Sequence, residues 1–281
     1  IRNTFRYLLS NLYDFDPDTH AVSYDQMTKI DQWMLDRLAH AMTDIKEGYD
    51  AYAFSRVYKS VYAFCNEELS NFYLDILKDR LYTSPSSDTA RRSAQTVLYH
   101  VLNHLLRSMG PVLVFTVEEI FSFMPKGREL KNIDSAHLLK WLDVPQEWRN
   151  PEIVKFFERA LAIRPFVSKA MDDKRREGTI GSSLDAKVMI ETSSAQIYEE
   201  FNAMTEILEE VFAVSQVVIK KVDTLSQGLS ETLPQIHVTA AHADGKKCAR
   251  SWKYTTDVGV DPEYPELSLR CARILKEMTN A

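Results

Sequence analysis

Hydrophobic positions recur at three- and four-residue steps from Gln32 to His40 and again from Ala53 to Leu81, where Phe54, Val57, Val61, Phe64, Leu69, Phe72 and Ile76 mark one stripe. That period predicts amphipathic helices. Thr83-Ser84-Pro85-Ser86-Ser87-Asp88 interrupts it, and Asp88 is placed to cap a second long helix striped by Val97, Leu98, Val101, Leu102, Leu105 and Leu106. Two long antiparallel helices follow. A shorter helix is expected from about Val112 through Ile120, then a polar loop from Pro125 to Ala136, so that a helical bundle ends near Trp141.

Pro145 and Pro151 punctuate the chain, and a helix is expected from about Glu152 to Arg176. After it the period shortens. Lys187 to Glu191, Val214 to Ile219 and Gln235 to Thr239 are β-branched runs of strand length, with a helix from about Ser194 to Phe212 between the first two and a last helix over about Leu269 to Met278. The fold class expected is mainly α: a helical bundle over residues 1–145, then a smaller α+β region over 146–281.

Composition narrows the setting. A chain of 281 residues that is 45% hydrophobic can bury a core. No apolar run approaches the roughly 20 residues that span a bilayer, and Ile1 to Ser10 carries Arg, Asn and Thr where a cleavable signal would be apolar. A cytoplasmic protein without a membrane partner is expected. Ile1-Arg2-Asn3 opens directly into an amphipathic run, which reads as an excerpt of a longer chain. Cys65, Cys248 and Cys271 are odd in number and far apart, as reduced thiols would be. With 34 basic against 40 acidic residues and a net charge of -6, the whole-molecule field does not favour loose binding of nucleic acid, DNA included. Any RNA contact must be local.

Several residue groups bear on chemistry. His100 and His104 have metal-ligand spacing on a helix, but no third ligand accompanies them, and structural histidines give the same pattern. Glu118 and Glu119 are adjacent, so on a helix they point apart and do not share acid-base work. There is no Gly-rich phosphate loop, G-K-[ST] tripeptide or nucleophile elbow. Lys78, Arg80 and Tyr82, with Arg91 and Arg92, fall at the junction of the two long helices. They suit either a tip that grips phosphates and stacks bases or a solvated helix end. Lys174, Arg175 and Arg176 end a helix, where cations also complement the helix dipole.

The words around these residues resemble isoleucyl-tRNA synthetases. Arg2-Asn3-Thr4-Phe5-Arg6-Tyr7-Leu8-Leu9-Ser10-Asn11-Leu12, Phe64-Cys65-Asn66-Glu67-Glu68-Leu69-Ser70-Asn71-Phe72-Tyr73-Leu74-Asp75, Arg91-Arg92-Ser93-Ala94-Gln95-Thr96 and Gly178-Thr179-Ile180-Gly181-Ser182-Ser183-Leu184 carry the likeness in family order. The resemblance implies an anticodon-binding bundle with a C-terminal appendage. It also implies a ligase in the full-length protein that uses ATP and magnesium in a catalytic domain. The family's His-Ile-Gly-His and Lys-Met-Ser-Lys-Ser signatures are absent here, so the chain by itself is expected to be inactive and to need no cofactor.

One departure is specific. Zinc-bearing members carry a C-x2-C, C-x2-C knuckle, whereas the corresponding positions here are Cys248, Ser251, Ser268 and Cys271. Two of four thiolates are hydroxyls, so zinc is not expected; His242 is the nearest substitute ligand, and the appendage should rest on packing of Trp252, Tyr254, Tyr264 and Leu267. The implied partner is the tRNA for isoleucine, bound by a monomer. The contacts expected are Lys78, Arg80, Arg91 and Arg92 at the bundle tip, Lys174, Arg175 and Arg176, and Arg250 with Trp252 as a phosphate and stacking pair; a core position for Trp252 fits its sequence equally well. The rival reading is a helical protein-protein interaction module without RNA binding.

Overall fold

A computed structural model describes residues 1–225, 228–230 and 233–279. It divides into two compact units, Ile1–Val154 and Lys155–Ala281. The first unit is helical. Helix α1 (Arg2–Ser10) leads by a loop to α2 (Lys29–Asp50), and α3 (Phe54–Ala63) runs without a break into a π-helical segment (Phe64–Tyr73), then α4 (Leu74–Ile76) and α5 (Lys78–Thr83). The period predicted one helix over this stretch, and the π segment is the difference. Its wider winding keeps Phe64, Cys65, Leu69, Phe72 and Tyr73 all inward. Asp88 caps α6 (Thr89–Met109) by accepting from the Arg91 amide at 2.8 Å, as the breaker motif predicts. The stripe Val97, Leu98, Val101, Leu102, Leu105 and Leu106 is at most 1% exposed, and α7 (Val114–Phe123) packs beside it.

The unit extends past residue 145 for a physical reason. Trp148 is buried, the Arg149 guanidinium donates to the Ala39 carbonyl and Thr43 hydroxyl, and the Asn150 amide donates to Asp36. These contacts tie the Pro-bounded stretch to α2. Helix α8 (Pro151–Arg176) begins there and continues into the second unit.

In the second unit β1 (Ala186–Thr192) is the central strand of a three-stranded sheet. Helices α9 (Ala195–Ala203) and α10 (Thr205–Phe212) carry the chain to β2 (Gln216–Lys221), parallel to β1, and β3 (Ile236–His242) pairs antiparallel on the other side. Strict alternation buries Ala186, Val188, Ile190 and Thr192. Phe201, Leu208, Val211 and Phe212 supply the helical layer, with Phe156 of α8 edge-on to Phe201 at 6.0 Å. The strands begin and end within a few residues of the sequence expectation; the two-residue strands β4 (Lys246–Lys247) and β5 (Tyr254–Thr255) were too short to leave a period. Helix α11 (Leu269–Thr279) follows. The protein is thus mainly α, with a small α+β region. Among the described residues, no helix is long and apolar enough to cross a membrane.

Candidate nucleic-acid interface

The junction of the long helices is built around a buried carboxylate. Asp31, at the start of α2 and fully buried, receives both terminal nitrogens of Arg80 at 2.9 Å, the Tyr73 hydroxyl at 2.6 Å and the Ser93 hydroxyl at 2.5 Å. Arg80 also donates to the Thr28 hydroxyl and the Ala90 carbonyl. A buried charge persists only when paired and hydrogen-bonded, and this network meets that condition. Beside it Asp14 accepts from Arg91 at 3.0 Å and from Gln95 at 2.7 Å, while Arg92 donates to the Asp14 carbonyl at 2.9 Å and to Gln95. Burial lowers the Arg92 pKa against the attraction of Asp14.

This geometry places the expected contact residues in different surroundings. The side chains of Arg80 and Arg91 are 7% and 9% exposed and bound to carboxylates, so they brace the junction. Sequence alone does not show this, because Asp31 and Asp14 lie far away along the chain. What faces solvent at the tip is Lys78, 57% exposed and bridged to Asp75 at 2.5 Å, with Tyr82.

Two surface features stand outside the expected contacts, and one of them moves Phe54, expected in the buried stripe, to a surface position 57% exposed. On α3 the exposed rings of Tyr58 and Tyr62 stack at 5.9 Å, with Tyr52 and Phe54 at the head of the same helix. Between α1 and α7 lies a groove of about 620 Å³, floored by Phe5, Leu9 and Ile120 and edged by Arg6, Tyr13 and Phe123. The four-residue steps of Phe54, Tyr58 and Tyr62 are the sequence signal of the aromatic face.

In the second unit Lys174, Arg175 and Arg176 fall in the last turn of α8, which Gly178 closes at φ 74°. Each cation pairs with a nearby carboxylate: Lys174 with Glu177, Arg175 with Asp172 and Arg176 with Asp173, at 2.7, 2.5 and 2.6 Å. Arg176 is exposed, Lys174 and Arg175 are half-buried, and ion pairs this close to solvent contribute little to stability. Arg175 also donates to the Ser183 hydroxyl.

The β4–β5 hairpin presents Trp252, 63% exposed with φ 63°, and places the Lys247 ammonium 5.9 Å from both the Trp252 and Tyr254 rings. Trp252 is therefore not in the core, and the packing expected of it falls to others. Cys248, Leu267, Cys271 and Ala272 form that core, with Val258, Tyr264 and Leu275 against it. Arg250, in the loop between β4 and β5, is half-buried. Burial would raise the Cys248 thiol, yet hydrogen bonds from Ser251 and from the Ser268 and Arg250 amides outweigh it and bring the pKa down to about 6.

The other candidates are structural. His100 and His104 pack on Trp148, with ring centroids at 4.9 and 5.4 Å. Burial, and secondarily the neighbouring His104, lowers the His100 pKa to about 4. Glu118 accepts from the Ser135 hydroxyl and the Ala136 amide at 2.9 Å, whereas Glu119 meets Arg2, so the two carboxylates do diverge. His242 stands edge-on to Tyr254 at 4.8 Å. Among the described residues there is no group of three or more His, Cys, Asp or Glu able to hold a metal.

Residues 31–190 match the family model described as the anticodon-binding domain of tRNA ligase. The chain belongs to this family. Similar curated proteins are named isoleucine–tRNA ligase: those of Thermotoga neapolitana, 40% identical over 98% of this chain, Syntrophotalea carbinolica, 41% over 99%, and Caldanaerobacter subterraneus subsp. tengcongensis, 42% over 99%. The chain spans 29–30% of the length of these relatives. The match begins at Asp31 within α2 and ends within β1, so it contains Asp31, Arg80, Arg91, Arg92 and Gln95 of the junction, the π segment and the cationic end of α8, while Asp14 and Thr28 precede it.

Proposed function

We propose that this chain binds the anticodon stem-loop of isoleucine tRNA and positions that tRNA for aminoacylation by a longer isoleucine–tRNA ligase. The observation that carries the reading is identity of about 40% with isoleucine–tRNA ligases along nearly the whole chain. Anchoring the tRNA at a distance from the reacting 3′ end is catalysis by positioning. Activation chemistry with ATP and magnesium belongs to the longer protein, and the chain alone is expected to support no isoleucine-dependent pyrophosphate exchange.

Lys78 and Tyr82 of the first unit, and Lys174, Arg176 and Trp252 of the second, supply the contacts in this reading. Each combines exposure with phosphate or base chemistry, while Arg80, Arg91 and Arg92 hold the frame. In binding titrations with isoleucine tRNA, K78E and R176E should each weaken affinity and reduce the salt slope by about 1, and K131E in the polar loop should leave both unchanged. W252A should cost roughly 1 to 3 kcal/mol with an unaltered slope. A loop variant as damaging as K78E would displace the RNA surface from the tip.

A second reading, docking of a protein partner, is favoured by the groove between α1 and α7 and by the exposed rings of Phe115 and Phe123, 90% and 74% accessible. Titration of the folded chain with isoleucine tRNA and with an unrelated tRNA separates the two readings, because selective binding favours RNA recognition and no binding to either favours a protein partner.

A further inference from the structure

The resemblance to zinc-bearing relatives raises the question of whether the C-terminal knuckle can hold that metal. Structural zinc sites are tetrahedral and take thiolate, imidazole or carboxylate ligands. The four positions here are two thiols and two hydroxyls, and a neutral hydroxyl is a poor donor to a borderline-soft ion. His242, the nearest imidazole in sequence, packs against Tyr254 and turns its Nδ1 to the Ala243 carbonyl at 2.8 Å. The donor set does not fit zinc.

The four positions are nevertheless linked by shared burial and by hydrogen bonds. Cys248 and Cys271 are both fully buried and belong to one small apolar cluster. The Ser268 amide donates to the Cys248 sulfur at 3.4 Å, and the Cys271 amide donates to the Ser268 hydroxyl at 3.4 Å. The Ser251 hydroxyl and amide and the Arg250 amide add donors to the same sulfur. The backbone closes the loop beneath them, with Trp252 donating to the Cys248 carbonyl and Cys248 to that of Lys253, both at 2.9 Å. Ser268 also precedes α11 and accepts from its first turn, a capping role in which a hydroxyl outperforms a thiol.

We propose that Cys248, Ser251, Ser268 and Cys271 form a knuckle that closes without metal, in which hydrogen bonds converging on the Cys248 sulfur take the organising place of the ion. Two side-chain exchanges then separate the knuckle from a zinc site. The two serines do what the metal would otherwise do: the Ser251 hydroxyl donates a hydrogen bond to the sulfur, and Ser268 ties the second half of the knuckle to the first. The apolar cluster around Tyr264 and Leu267 seals the arrangement from water.

The whole chain, purified with zinc present and then dialysed, should retain less than about a tenth of a zinc per molecule, and EDTA should leave its Tm unchanged. S251C/S268C should take up about one zinc per chain, give with cobalt(II) the absorption of a tetrahedral thiolate site, and gain a rise in Tm that EDTA reverses. If that variant does not fold, S268C alone supplies a third thiolate and is judged by the same readouts. C248A should lose hydrogen-exchange protection at the Arg250, Ser251 and Ser268 amides, whereas C65A should not. About one zinc per wild-type chain, or destabilisation of wild type by EDTA, overturns metal-free closure. Folded thiol variants that take up no zinc overturn the convergence, and unchanged exchange in C248A overturns the role of the sulfur.

Discussion

Single residues at the helix junction were the least legible from sequence. Arg80 and Arg91 carry the charge and spacing of ligand contacts, and only the fold reveals that Asp31 and Asp14 claim them. The distinction is measurable. Asp31→Ala leaves a buried guanidinium without its carboxylate and should cost about 3 to 5 kcal/mol in urea unfolding, whereas K78E, at an exposed position, should stay within about 0.5 kcal/mol. The histidine pair makes a further residue-scale test. His100 has an ordinary pKa of 6.5 when unfolded and about 4 in the fold, so the native state binds fewer protons between those values. Its contribution to stability is complete above about pH 6.5 and declines as pH falls toward 4, by about 2 kcal/mol once partial exposure is allowed for. H100Q should flatten the dependence of Tm on pH in that window; a profile as steep as wild type would place the titration elsewhere.

At the scale of elements, what recurs was readable and what is local was not. The α6 stripe and its Asp88 cap, the alternation of β1 and the helix before it all leave a period in the sequence, because burial on one face demands one. The π segment does not, since its inward residues Phe64, Leu69 and Phe72 also satisfy an α-helical reading. The hairpin is invisible for another reason: its strands are two residues each, and its geometry rests on Gly245. At φ 91° that residue occupies the left-handed region, and a Cβ there would lie 2.2 Å from the Thr255 carbonyl oxygen. Gly245→Ala should therefore disrupt the β4–β5 pairing, shift Trp252 fluorescence and weaken tRNA binding, while the far-ultraviolet signal of the helical unit persists. Normal pairing in the variant would show that the loop tolerates a side chain and that Trp252 is held by something else.

For the whole molecule, the family words pointed the same way as the comparisons, whereas the net charge of -6 gave no sign of RNA binding. An acidic chain of net charge -6 that binds RNA must do so through a few placed cations. Lys78 on one unit and the end of α8 on the other offer such cations, already paired with carboxylates. The central claim is selective recognition of isoleucine tRNA, and the most direct test is the affinity of the whole chain for that tRNA and for an unrelated one across a salt series. Isoleucine tRNA should bind more tightly, with a log-log salt slope corresponding to about three to six phosphate contacts. Equal affinity for both tRNAs, or no measurable binding by the folded chain at low salt, would contradict it.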